Sequence, residues 1–151
     1  DHYYDSVNNK TAVYIAINTF ITGGTITLIT QIQELLNQEN YLLFFLAAII
    51  TLGVGSLILL ALASMPYFSA KSEIESLYYF ASIGQKEPDE FFDLSKNQTK
   101  KGNLKDLRNQ VYILSKGLKS KFRKLKWACV LLIIQFMLLA PSTYILIKIT
   151  S

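Results

Sequence analysis

The stretch KSKFRKLKWACVLLIIQFMLLA, residues 119–140, joins a basic half to an apolar half. Five of its first eight residues are Lys or Arg, and no charge then occurs over the 21 residues from Trp127 to Ile147. A helix of that length rises about 30 Å, the hydrocarbon thickness of a bilayer, whereas a soluble helix interleaves polar and apolar residues. The stretch therefore predicts a transmembrane helix, with a membrane anchor made of Lys119, Lys121, Lys124, Lys126 and the interfacial Trp127.

Two further runs of the chain have the same character. Residues 11–33 and 41–65 carry no charged side chain, and apolar residues make up 51% of the chain against 17% for charged ones. The mean hydropathy is +0.29. We therefore predict an all-α membrane protein in which residues 1–151 form a single membrane domain, with three transmembrane helices at about 11–33, 41–65 and 127–147.

Small and polar residues in the first two spans indicate helix packing. Asn18 and Thr22 fall, with other polar side chains of the first run, within one narrow arc of the helix, which suits packing better than contact with water. Ala47, Thr51 and Gly55 recur every four residues in the second run and form a small-residue face. We expect these residues to pack between helices, and we hypothesise that the two faces also join copies of the chain in a homo-oligomer.

The segment 67–126, between the second and third spans, is polar and basic. Thirteen of the 15 Lys and Arg residues of the chain lie between Lys71 and Lys126. Because positive charge concentrates on the cytoplasmic side, we predict that the N-terminus and residues 67–126 are cytoplasmic. The 34–40 turn and the C-terminus are then predicted to lie outside.

Local patterns subdivide that segment. Residues 69–80 have a helical pattern, a short helix is predicted to start at Pro88, and NQTKKGN, residues 97–103, reads as a loop. From Leu104 onward, apolar residues follow a 3-4 spacing with no strong breaker before the third span. We therefore predict one long helix from about Leu104 to Ile147, amphipathic in its cytoplasmic part and continuous with the third span.

Motifs of catalysis are absent from the sequence. It has one histidine, His2, and no HExxH, Walker loop or Cys-x-x-Cys. The acidic residues between Glu87 and Asp93 match no metal-binding loop and are typical of a solvated helix start. We therefore expect no enzyme activity, no cofactor and no metal site.

The basic segment allows three interpretations. It is a topology anchor that binds lipid headgroups, or it binds an anionic partner such as RNA. Alternatively, part of it binds a small phosphate ligand whose base stacks on Tyr78, Tyr79 or Phe80. The residues alone favour the first interpretation.

Three stretches resemble a known family. NNKTAVYIAINTF (8–20), LYYFASI with PDEFFDLSK (77–83 and 88–96), and LRNQVYILSKGLKSKFRKLKWA (107–128) occur in the order of that family's motifs. They are similar to the entry into its first apolar helix, to its Phe-rich segment and acidic helix, and to its long basic helix. The chain resembles the Pycsar transmembrane effectors of bacterial anti-phage defence over nearly its whole length.

The resemblance implies a function that periodicity does not. Members of the family sense a cyclic pyrimidine nucleotide, cUMP or cCMP, that a partner cyclase makes upon infection, and they then impair the bacterial inner membrane and arrest the cell. A nucleic acid polymer is not expected as a partner. A cyclic nucleotide offers one negative charge and a flat base, so we assign its contacts to the aromatic residues after the second span and to arginines of the long helix: Tyr78, Tyr79, Phe80, Arg108 and Arg123.

Two other function classes stay open. One is a structural or assembly subunit of a membrane complex, for example a transporter, which would not respond to a nucleotide. The other is a holin-like toxin, which would act on the membrane without a ligand.

Overall fold

The structure is a computed structural model that describes residues 2–32, 40–65 and 76–150. The regular elements of these residues are five helices: α1 His2–Gln31, α2 Asn40–Ser64, α3 Phe80–Ile83, α4 Pro88–Asn97 and α5 Lys100–Thr150. Three of them are long and apolar enough to cross a membrane, namely Tyr3–Gln31, Tyr41–Ser64 and Lys100–Ile149. The predicted all-α fold with three spans, the third continuous with a long helix, is confirmed.

Two helices begin earlier than the sequence predicts. α1 starts at His2, nine residues before the predicted span at about 11–33. Val7 is fully buried, and the Thr11 hydroxyl donates to the Val7 carbonyl at 2.8 Å, so the buried face of α1 extends into the polar first residues. α5 starts at Lys100 instead of near Leu104, because the Thr99 hydroxyl caps it by accepting the Gly102 N–H at 3.1 Å.

The cap also corrects the predicted loop at 97–103, which shortens to Gln98 and Thr99. The end of the predicted first span at residue 33, the turn before Asn40 and residues 67–75 lie outside the described residues.

The chain divides into two compact units. Unit 1 contains Asp1–Met65 and Ser120–Ser151, and unit 2 contains Pro66–Lys119. In unit 1, α1 and α2 pack along each other around a buried core of Ile21, Leu42, Leu46 and Ile49. Apolar side chains of α5 complete this core, among them Leu138, Leu139 and Ile145.

Many of the exposed side chains of unit 1 are large and apolar. Phe20 is 82% exposed, Phe44 71% and Met137 69%. A water-soluble surface rarely carries so many large apolar side chains, whereas a surface that faces lipid requires them. Together with the three helices that can span a bilayer, this exposure indicates a membrane protein.

Pro141 lies inside α5 without ending the helix. A proline in a helix removes one backbone donor and breaks the local hydrogen-bond ladder. The Ser142 hydroxyl donates to the Leu138 carbonyl at 2.7 Å, and the Thr143 hydroxyl donates to the Ala140 carbonyl at 2.9 Å. These hydroxyls supply donors next to the break, which is one way in which membrane helices tolerate proline.

In unit 2, α4 begins where the sequence predicts. Pro88 lies at the helix start, Asp89 and Glu90 lie in the first turn, and Lys96 lies in the last, so the charges complement the helix dipole. The helical pattern predicted for 69–80 is wrong for its described part. Residues 76–79 are irregular, and the single turn α3 follows at Phe80–Ile83.

Candidate functional site

The irregular segment 76–79 is tied to the first turns of α5. Asp106 Oδ2 accepts the Leu77 N–H at 2.9 Å, and Ser76 Oγ accepts the Tyr78 N–H at 3.1 Å. The Tyr78 hydroxyl in turn donates to Asn103 Oδ1 at 2.7 Å. Side-chain oxygens thus accept hydrogen bonds from backbone N–H groups that would otherwise bond within a helix. These bonds explain the irregular conformation and hold the segment against α5.

A cavity of about 500 Å³ opens on the same turns of α5. The described residues that line it include two cations, one amide and one carboxylate, and all of them lie on α5: Gly102, Lys105, Asp106, Arg108 and Asn109. Its volume falls in the range of small-molecule pockets, roughly 300–1,000 Å³. An ionised phosphate group would find charge-assisted donors on the two cations and a neutral donor on the amide.

Asp106 joins the cavity to the 76–79 segment. It lines the cavity, and one of its oxygens holds Leu77. The carboxylate is 8% exposed, and its second oxygen, Oδ1, is buried without a hydrogen-bond partner among the described residues. A group that fills the cavity therefore touches the residue that positions the aromatic segment.

The three predicted aromatic residues differ in their surroundings. Tyr78 is 49% exposed although its hydroxyl is bonded, so a face of its ring is accessible. Tyr79 is half-buried, and its ring meets the ring of Phe80 edge-on with 5.0 Å between centroids. Phe80 is more exposed, at 64%, whereas the bond from Tyr78 to Asn103 holds the Tyr78 ring next to the first turns of α5, where the cavity opens.

The two predicted arginines lie in different units. Arg108 belongs to unit 2, is exposed and lines the cavity. Arg123 is also exposed but belongs to unit 1. It lies in the basic residues 119–126 that precede the third span, which we call the basic collar. Arg108 is therefore the predicted arginine that lies in the same unit as the predicted aromatic residues.

The residues of the predicted membrane anchor fall into two groups. Lys119, Lys126 and Trp127 are exposed, Trp127 by 57%. Lys124 Nζ instead donates to the Leu62 carbonyl in the last turn of α2 at 3.1 Å, where a cation suits the negative end of the helix dipole. Lys121 is buried over the Tyr4 ring, 5.7 Å from its centroid, and burial, together with the nearby charge of Lys124, lowers the pKa of Lys121.

The predicted packing residues of the first span meet a partner on α5. The Gln135 side chain donates through Nε2 to Thr22 Oγ1 at 3.0 Å and to the Ile49 carbonyl of α2 at 3.2 Å. The Thr22 hydroxyl donates to Asn18 Oδ1 at 2.8 Å. We call Asn18, Thr22 and Gln135 the mid-span cluster; Asn18 and Gln135 are fully buried, and Thr22 is 6% exposed.

Gly53 of α2 allows the helices to approach at this cluster. A Cβ at Gly53 would contact Thr22 Oγ1 and would lie 2.7 Å from Gln135 Nε2. The bare backbone of α2 is therefore part of the wall around the cluster. A second bond between α2 and α5, from Ser56 Oγ to the Ala128 carbonyl at 3.0 Å, lies about two turns from the bond between Gln135 and Ile49.

The predicted small-residue face of α2 lies elsewhere. Ala47 and Thr51 are exposed, and the Thr51 hydroxyl donates to the Ala47 carbonyl of its own helix at 2.8 Å. Gly55 is half-buried, with Leu131 3.7 Å from the position of an added Cβ. The single chain thus leaves most of this face on its surface, whereas it buries the polar stripe of α1.

Sequence reasoning missed several of these residues. Gln135 is the one amide in the charge-free run from Trp127 to Ile147, and Asp106 is the one acid among the basic residues from Lys96 to Lys126. A single polar residue in an apolar run, or a single acid in a basic run, is a sequence feature from which each of these two residues could have been predicted. Gly53 carried no comparable signal, since Gly55 fits the four-residue spacing better.

Chemically, the described residues offer binding surfaces. They contain no group of three or more His, Cys, Asp or Glu side chains that could hold a metal ion. The unit 2 cavity combines donors for an anion with a nearby aromatic ring, and the mid-span cluster places polar groups among apolar helices. The first suits a small phosphate ligand, and the second couples three membrane-spanning helices.

Comparison with known proteins identifies the family. The family model described as the Pycsar effector protein domain matches residues 1–148. No curated protein and no solved structure matches the chain. The match spans nearly the whole sequence and both units, and it confirms the resemblance carried by the three sequence stretches. The chain belongs to the Pycsar effector family of anti-phage defence, which is not a known enzyme family.

Proposed function

We propose that this chain binds cUMP or cCMP in the unit 2 cavity and, in response, impairs the bacterial inner membrane. The observation that carries the proposal is the cavity of about 500 Å³ lined by Lys105 and Arg108. A cyclic nucleotide is a monoanion, and a guanidinium grips two phosphate oxygens at once. The exposed ring of Tyr78 supplies a stacking surface for the base.

The continuity of α5 supports a route from ligand to membrane. The helix carries both the cavity residues and the third span without interruption, from Lys100 to Thr150. A ligand that changes the position or the stability of the first turns of α5 acts on an element that also packs in unit 1. In the proposed orientation the cavity is cytoplasmic, where a partner cyclase releases its product.

Calorimetry tests the binding step. Detergent-purified protein is titrated with cUMP and with cCMP, and Arg108→Ala is compared with wild type. Losing a bidentate phosphate contact weakens affinity by about 2 kcal/mol, which is about thirtyfold. Arg123→Ala is the matched control, because it removes the same side chain from the other unit.

The outcomes separate the open alternatives. Thirtyfold weaker binding by Arg108→Ala, with Arg123→Ala close to wild type, supports the cavity as the site. The reverse order would move the site to the basic collar, and no binding by wild type would contradict nucleotide sensing altogether.

The membrane step has its own test. Ion flux from liposomes that contain the protein is expected to rise when the bound nucleotide is added. Flux without any nucleotide would favour the ligand-independent toxin. Absence of flux under both conditions would favour the structural subunit.

A further inference from the structure

The mid-span cluster lies near the middle of the membrane by three separate counts. Gln135 follows Trp127 by eight residues, which is about 12 Å along the helix, close to the half-thickness of about 15 Å. Thr22 is the central residue of the charge-free run 11–33, and Gly53 is the central residue of the charge-free run 41–65. The cluster therefore sits where the bilayer offers no water to an exposed polar group.

Two polar atoms of the mid-span cluster make no hydrogen bond to the described residues. Asn18 Nδ2, a donor, and Gln135 Oε1, an acceptor, are buried and have no hydrogen-bond partner among the described residues. Turning the Asn18 amide over would set Nδ2 against Thr22 and leave Oδ1 unpaired instead. A buried donor and a buried acceptor without partners are groups of the kind that internal water molecules bond in proteins.

Helix packing explains the bonds of the cluster but not its two unpaired atoms. Apolar side chains of similar size would fill the same space without unpaired polar atoms, and such replacements are often neutral or stabilising. Ionisable side chains within a membrane span usually mark a path for water or ions, whereas amides and hydroxyls commonly bond helices together. The mid-span cluster bonds all three spans and in addition keeps two unpaired polar atoms, which packing does not require.

We propose that the mid-span cluster is an internal water-binding site, occupied in the resting protein by water held between Asn18 and Gln135, and that the water path of the active effector forms there. The second half of this inference rests on the proposed membrane-impairing function. The first half concerns the resting structure and does not.

The water itself is tested without ligand. Solid-state NMR of the full chain in lipid bilayers measures magnetisation transfer from water to side-chain amide protons. The Asn18 and Gln135 amides are expected to receive water magnetisation early, whereas the methyl groups of Leu46 and Ile49 in the adjacent core receive it late. Amides as dry as those methyl groups would overturn the proposal.

The path is tested with apolar replacements of similar size. In the double variant Asn18→Leu with Gln135→Met, we expect nucleotide-triggered liposome flux to fall at least tenfold, while nucleotide affinity is unchanged and thermal stability in detergent is equal or higher. The control Thr27→Val removes an exposed hydroxyl of α1 that bonds only within its helix, and it should keep wild-type flux. Undiminished flux in the double variant overturns the proposal, and so does a large loss of stability, which would show that the cluster is packing only.

Failure of the proposed function has a different signature. If wild type shows no flux with either nucleotide, the membrane-impairing role fails, and the NMR result alone decides whether the cluster holds water. If wild type conducts and the double variant conducts equally, the membrane role stands and the cluster is not its path.

Discussion

Gly53→Ala is the smallest change that addresses the packing of the three spans. An added methyl group at this position would contact Thr22 Oγ1 and would lie 2.7 Å from Gln135 Nε2 and 3.2 Å from Asn18 Oδ1. All three atoms take part in the hydrogen bonds of the mid-span cluster. The methyl group therefore cannot fit unless α2 moves outward or the bonds break.

The expected loss of stability follows from three terms. Overpacking a tight interface destabilises by about 1–3 kcal/mol, and each cross-helix hydrogen bond lost in a membrane adds about 0.6 kcal/mol. Alanine offsets part of this, because it favours a helix over glycine by about 1 kcal/mol. With one or two bonds broken, we expect a net destabilisation of about 1–3 kcal/mol.

The measurement is SDS-driven unfolding of detergent-purified protein, followed by the fluorescence of Trp127, the single tryptophan of the chain. Gly24→Ala is the control, because no atom outside the neighbouring backbone of α1 lies within 4 Å of the position of its added Cβ. It keeps the gain in helix propensity and should be neutral or slightly stabilising. If Gly53→Ala unfolds at the same SDS fraction as Gly24→Ala, the close approach of the helices at Gly53 is refuted.

Three further predictions concern topology, assembly and the unit 2 site. After replacement of Cys129, a cysteine at position 37 should react with an impermeant reagent from outside and one at position 97 should be protected; the opposite result reverses the proposed orientation. Gly55→Leu should reduce cross-linked multimers without loss of membrane insertion, and an unchanged cross-linking ladder would count against that face of α2 as an oligomer contact. Asp106→Ala removes the acceptor of the Leu77 N–H and should weaken nucleotide binding about tenfold, whereas Lys101→Ala, outside the cavity lining, should bind as wild type does. Equal affinities in that pair would show that the 76–79 segment is not part of the site.

Charge and length made the spans predictable. A charge-free run longer than 20 residues has few alternatives, so α2 and the apolar part of α5 followed directly from the sequence. The helix bounds were harder to predict from the sequence. Thr99 caps the start of α5, and the buried Val7 extends the packed face of α1. Neither contact changes the hydropathy of the chain. The spacing also could not give the rotation of each helix, and so Gly53, rather than Gly55, meets Thr22 and Gln135.

The site predicted from the sequence, namely Tyr78, Tyr79, Phe80, Arg108 and Arg123, stays a prediction. The structure places the three aromatic residues and Arg108 in unit 2 and Arg123 in unit 1. The role of Asp106 depends on a contact with Leu77 across 29 positions of the chain, which no local pattern contains. A long-range hydrogen bond of this kind becomes visible only when the fold is known.

The chain order of unit 1 has a consequence for biosynthesis. The unit combines Asp1–Met65 with Ser120–Ser151, so the part of α5 that belongs to unit 1 is made only after the whole of unit 2. A ribosome adding about 5–20 residues per second reaches Gln135 roughly 4–16 seconds after Gly53. During that interval Asn18 and Thr22 can already be in the bilayer without Gln135, the residue that bonds Thr22 in the finished protein. A nascent chain therefore spends seconds as a two-helix intermediate whose buried polar groups lack the partner on α5. An insertion chaperone or a second nascent copy can bind the intermediate at this stage.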